Sequence, residues 1–191
     1  MYKKIAVLLS TLVAVPTCAA AFFLDYDPVE FEVSGKVAVM TGVIDSDIQL
    51  EIEDLLEENP QVTTIIMRDV EGSVDDEANL RAARYVRENG LNTHIPNDGL
   101  VASGGTDFFL AGVQRTAGPN ALIGVHSWSG GGHIEATQLP QNHPAHQKYL
   151  NYYRAMGIPT EFYWFTLEAA PSDDIHWMTI EEQKFYRITT R

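Results

Sequence analysis

What most constrains this 191-residue chain is an alternation of two hydrophobic periods between residues 36 and 102. Residues 36–41 form a short apolar run of strand character. Residues 46–58 then repeat apolar side chains at helical spacing, with Ile48, Ile52, Leu55 and Leu56 marking one face. Residues 62–67 are a β-branched run of the kind found in buried parallel strands. A second amphipathic helix is expected over 75–89, with Gly90 where a left-handed residue ends a helix. Residues 91–95 and 100–102 supply further strand. Strands separated by helices cannot pair as hairpins, so the expected fold class is α/β, a parallel sheet with crossover helices. No internal repeat or low-complexity linker interrupts it.

The next segment, ASGGTDFFLAGVQRTAGPNALIGVH, carries the chemistry. Ser103 and two glycines, Gly104 and Gly105, precede an apolar run, which is a helix-start pattern. The first amides of a helix lack intrahelical partners and are free to face an anion. A hydroxyl beside them suits acyl transfer, where donors aimed at the developing oxyanion contribute most to the rate. After a turn at Gly118 and Pro119, residues 121–125 read as a strand that ends on His126. Strand carboxyl ends are where open α/β sheets bind ligands, and a neutral imidazole there can take and return a serine proton. The same residues also read as plain structure: a serine before glycines caps or turns, and a histidine ends a strand without a task.

Four segments in order resemble the ClpP/crotonase superfamily over roughly residues 36–189, and within it the ClpP-like periplasmic serine proteases. VAVMTGVIDSDIQLEIEDLLEENPQVTTIIMRDVEGSV resembles the opening strand, helix and second strand, ending in an SPGGS-type loop. SGGTDFFLAG resembles the nucleophile segment, and GPNALIGVH the strand that delivers the base. DDIHWMTIEEQ resembles the segment that supplies an acid and the closing helix. The resemblance implies a ClpP/crotonase-like parallel sheet with a C-terminal helical arm. It also implies a triad of Ser103, His126 and Asp174, with the amides of Gly72 and Gly104 as oxyanion donors.

Three departures qualify what carries over. Glu71 stands where relatives have the first of two loop glycines, so a carboxylate either faces an anionic intermediate or points away. After His126 the chain runs SWSGGGH, so peptide selectivity does not transfer. The acid lies between Asp173 and Asp174, with Asp174 fitting the family spacing better. Residues 171–174 also read as the turn and cap before a final helix.

Composition narrows the remaining choices. Lys3 and Lys4, an apolar core over 5–15 and small residues up to Ala21 make residues 1–21 a signal peptide; the core is too short for a membrane span. A periplasmic or secreted protein is expected, an uncleaved anchor being the alternative. Cys18 sits in no convincing lipobox, and as the only cysteine it leaves the mature chain without thiol nucleophile, disulfide or cysteine-based zinc site. The formal charge of −13 becomes two units more negative without the leader, which argues against nucleic acid or an anionic membrane as partner. Residues 22–34 read as an exposed lead-in, with a short strand over 30–33 as an option, and 35–191 as one domain.

Residues 130–170 are harder to read. A helix through Met156 carrying Tyr149, Tyr152 and Tyr153, and another from Pro159 through Phe162, Trp164 and Phe165, would form the arm, its rings either core or interface. His133, His143 and His146 lack a carboxylate or cysteine that completes a ligand set, so no metal and no cofactor is expected. Three functions fit: an exported, ATP-independent serine hydrolase acting on peptides or unfolded polypeptide; a decayed ClpP-fold scaffold; and an acyl-CoA enzyme, which export disfavours. Relatives assemble, so a homo-oligomer is expected, with no ATPase partner.

Overall fold

The computed structural model describes residues 26–130 and 134–190. The expected signal peptide, Cys18, the start of the lead-in and His133 lie outside the described residues.

Strand β1 (Glu30–Ser34) turns at Gly35 and pairs antiparallel with β2 (Val37–Thr41), Glu30 opposite Thr41. The lead-in is therefore part of the sheet from Glu30 onward. Its two-residue turn is open to Gly35, whose φ is +60°. From β2 the chain crosses through α1 (Ile48–Glu58) to β3 (Thr64–Val70), parallel to β2. The face of α1 that is buried, Ile48, Ile52 and Leu55, is the one its periodicity marks. Helix α2 (Asp76–Glu88) begins where the Asp75 carboxylate accepts the Ala78 amide at 3.0 Å.

The sheet then forks. The first half of β3 pairs with β4 (Asn92–Ile95), while Asp69 and Val70 at its far end pair with β5 (Leu100–Ala102). After α3 (Gly104–Phe109) the chain adds β6 (Arg115–Ala117) to β4 and β7 (Leu122–Val125) to β5, all parallel. Expected strands and helices all occur, with ends shifted by at most three residues. Strand β6 escapes the hydrophobic pattern because it is three residues long and opens on an arginine.

A small hairpin, β8 (Ser129–Gly130) with β9 (Ile134–Glu135), precedes the arm. The arm is a 3-10 turn (Pro144–His146), then α4 (Gln147–Met156) and α5 (Thr160–Ala169). Tyr149, Tyr152, Tyr153, Phe162 and Tyr163 are buried, the core alternative for these rings. The chain returns as β10 (His176–Trp177), antiparallel to β7, before α6 (Ile180–Phe185). Thr179 and Glu182 close a reciprocal capping box, so the final helix is capped there and not by residues 171–174. Core packing runs from Met40, Ile65 and Met67 of the sheet to Phe108 and Phe109 of α3, each fully enclosed. Burial of each such side chain contributes about 1.5–3 kcal/mol.

Candidate active site

Ser103 occupies the sharp turn between β5 and α3 at φ 52°, ψ −125°. A side chain at positive φ is strained, and such strain persists only where the surroundings over-determine it. The surroundings do. The Ser103 amide donates to the Gly124 carbonyl at 3.1 Å, and its own carbonyl accepts from Thr106 and Asp107. The Thr106 hydroxyl donates to the same Gly124 carbonyl at 2.7 Å. Asn79 of α2 donates to the Gly104 carbonyl at 2.8 Å. A Cβ on Gly104 would collide with Ser73, and one on Gly105 with the Val70 carbonyl. The two glycines after Ser103 thus let the turn press onto the end of β3.

Gly72, on the loop leaving β3, comes so close that a Cβ placed on it would lie 3.6 Å from the Ser103 Cβ. Its carbonyl accepts the Ile44 amide at 3.0 Å, while its own amide has no partner among the described residues. The Gly104 amide, in the first turn of α3, has no intrahelical acceptor. Two free amides therefore flank Ser103. Glu71 is exposed and lines a separate 1240 Å³ groove beside Asp27 and Asp69, away from Ser103.

His126 follows the last residue of β7. Because Ala102 pairs with Gly124, Ser103 and His126 emerge at one edge of the sheet, and both line the same two cavities. No hydrogen bond joins them. His126 Nδ1 is enclosed and makes no well-formed hydrogen bond among the described residues. Burial pushes the ring's pKa down, while the Ser172 backbone and the carboxylates of Glu135 and Asp76 pull it up.

The two candidate acids, Asp173 and Asp174, line neither cavity. Asp173 and Asp174 are exposed, and Asp174 accepts the amide of Ile175 at 2.8 Å. Continuing the β7–β10 register by one residue sets Ile175 opposite His126. Another carboxylate acts on the His126 ring. Glu135, on β9, accepts the Ser172 hydroxyl through Oε1, and its Oε2 is enclosed without a partner among the described residues. The Ser172 bond, first among its causes, holds the Glu135 carboxyl below its usual range, with His126 adding to the effect. No motif in the sequence marks Glu135.

The outer cavity is a 510 Å³ trough that includes Ser73, Lys148 and Ser172. The inner one is a recess of 40 Å³ between Ser103 and the arm, reached by Asp76, Asp107 and the rings of Trp128, Tyr149, Tyr153 and Tyr163. Tyr149 donates to Asp76 Oδ2, Ser73 to Asp76 Oδ1 at 3.0 Å, and Tyr153 to Asp107 Oδ1 at 2.6 Å. Burial raises the Asp107 pKa to about 7. His146 is buried with Nδ1 2.6 Å from the Tyr163 hydroxyl, and His143 Nδ1 accepts the Ala145 amide. Among the described residues no three ligating side chains converge on a metal position.

With this geometry in hand, similarity to solved proteins is informative. A mutant of ClpP1 from Listeria monocytogenes aligns with a TM-score of 0.54 at 18% identity, over 81% of this chain and 89% of that one. A mutant of the membrane-bound stomatin-specific protease 1510-N, in complex with a substrate peptide, aligns with a TM-score of 0.50 at 16% identity, over 81% and 72%. No protein-family model matches the sequence, and neither does any curated protein. The chain has a ClpP-like fold, the α/β architecture that its sequence pattern implies.

Proposed function

We propose that the protein is an exported, ATP-independent serine hydrolase of peptides or unfolded polypeptide. One observation carries this reading: a serine is held at positive φ in a strand-to-helix turn, between two unpartnered amides, in a cavity shared with a histidine. Ser103 Oγ attacks the substrate carbonyl carbon and passes its proton to Nε2 of His126, the ring nitrogen that is not enclosed. The amides of Gly72 and Gly104 stabilise the oxyanion. Collapse expels the amine, which takes the proton from His126, and water then releases the acyl group by the same route. The orienting carboxylate is assigned to Glu135 in place of Asp174: His126 Nδ1 and Glu135 Oε2 are the enclosed, complementary atoms that such a pair joins. A neighbour of the same fold holds a substrate peptide, which supports peptides as the substrate class.

The missing Ser103–His126 hydrogen bond favours a second reading, a ClpP-fold scaffold without turnover. A fluorophosphonate probe separates the two. Labelling of the wild type that disappears in Ser103→Ala and His126→Ala is the expected result. An unlabelled wild type supports the scaffold.

A further inference from the structure

We infer that the recess under Ser103 is a specificity pocket for an ammonium group, so that the protein cleaves after lysine. The inference rests on the hydrolase reading of the same site and adds its substrate class.

Charge comes first. Asp76 and Asp107 both reach the recess, and among the described residues no lysine or arginine lines it. Asp107 is half-buried beneath the arm; Oδ1 accepts from the Tyr153 hydroxyl, and Oδ2 has no hydrogen bond among the described residues. A half-buried carboxylate with a free oxygen offers a cation a charge-assisted contact. Burial is the first cause of its pKa near 7, with the Asp76 charge adding to it.

Walls and size then select among cations. Tyr149, Tyr153, Tyr163 and Trp128 form an aromatic lining, and aromatic walls with carboxylates are a known chemical solution for ammonium ions. The chain itself sets an ammonium on this lining from the trough side, where Lys148 Nζ lies 5.0 Å from the Tyr149 ring centre. The recess volume, 40 Å³, holds a few water-sized atoms. That suits the compact ammonium head of lysine better than an aromatic ring or the planar guanidinium fork, the four-carbon stem lying in the opening beside Ser103. A lysine ammonium brings three donors, which the free oxygen of Asp107, Asp76 and a tyrosine hydroxyl can share. Because the recess opens directly beside Ser103, the selected side chain belongs to the residue whose carbonyl is attacked.

Peptide substrates differing only in the residue before the cleaved bond test this with purified protein. The lysine peptide is expected to exceed leucine and glutamate peptides in kcat/KM by about tenfold or more, and to exceed arginine. Asp107→Asn should bring lysine down to the leucine value. Butylammonium should slow fluorophosphonate labelling of the wild type while butanol at equal concentration does not, a readout that needs no variant to fold. A labelled wild type that prefers leucine, or that butylammonium and butanol slow equally, overturns the pocket and leaves the hydrolase standing. A wild type that neither labels nor cleaves overturns the hydrolase reading itself.

Discussion

His126 shows how one residue's surroundings set a measurable property. General-base action needs the neutral ring, and burial lowers the ring's pKa below its usual value near 6.5. Lowering the pKa extends the neutral form to more acid conditions. Fluorophosphonate labelling should therefore hold its plateau through pH 7 and lose half its rate only below about pH 6.5. Glu135 pulls the ring's pKa up, so Glu135→Gln should slow labelling and move the half-loss point to still lower pH. A profile centred above 6.5, or one that Glu135→Gln leaves in place, would refute these roles. The residues that flank the reaction differ in how well the sequence reveals them. Ser103 and His126 are visible because each sits at a junction with its own local pattern. Asp76 reads as a first-turn helix acid, Asp107 as an acid in a short helix, and Glu135 as a loop residue. Their shared surroundings come from contacts such as Tyr149 with Asp76, 73 residues apart in the chain, which no local period encodes.

At the level of elements, the turn from β5 into α3 stores strain against a tightly seated helix start. Gly105 is the contact that permits the seat, since any Cβ there strikes the Val70 carbonyl. Gly105→Ala should lower stability by about 2 kcal/mol, read as a fall in the urea midpoint, because backbone cannot yield as a side chain tip can. Gly72→Ala makes the contrast: its Cβ would meet Ser103 at an ordinary 3.6 Å, so the midpoint should stay near wild type. Equal midpoints for the two variants would contradict the close approach of α3 to β3. Longer elements were legible from their periods, as in the Ile48, Ile52, Leu55 face of α1. The short ones were not: β10 has two residues and β6 three, too few for a period of two to show, and both exist because a neighbouring strand supplies their partners.

For the molecule as a whole, the C-terminal stretch is bound by a single buried arginine. Arg115, 5% exposed, donates through Nε to the Ile188 carbonyl at 2.7 Å, through Nη2 to Arg187 at 3.1 Å and through Nη1 to Gly112 at 3.2 Å. Burial, with Arg87 nearby, brings its pKa down to about 10, so it stays charged at neutral pH. Thr190 completes the clasp by exchanging hydrogen bonds with the Arg115 backbone. Arg115→Met would leave those carbonyls without donors and should cost about 2–4 kcal/mol in urea unfolding. It should also expose residues 187–190 to carboxypeptidase. Unchanged stability together with an intact tail would show that the clasp contributes little.

Strand β7 has one further consequence. A single carbonyl on it, that of Gly124, anchors the Ser103 amide and the Thr106 hydroxyl, and two residues onward the same strand presents the imidazole. The proposed proton donor and acceptor thus share one mounting, while the aromatic lining belongs mostly to a separate helical layer. Chemistry and selectivity are mechanically decoupled. Descendants of such a chain can acquire new tastes by exchanging rings on the arm, with no need to re-aim the reacting pair.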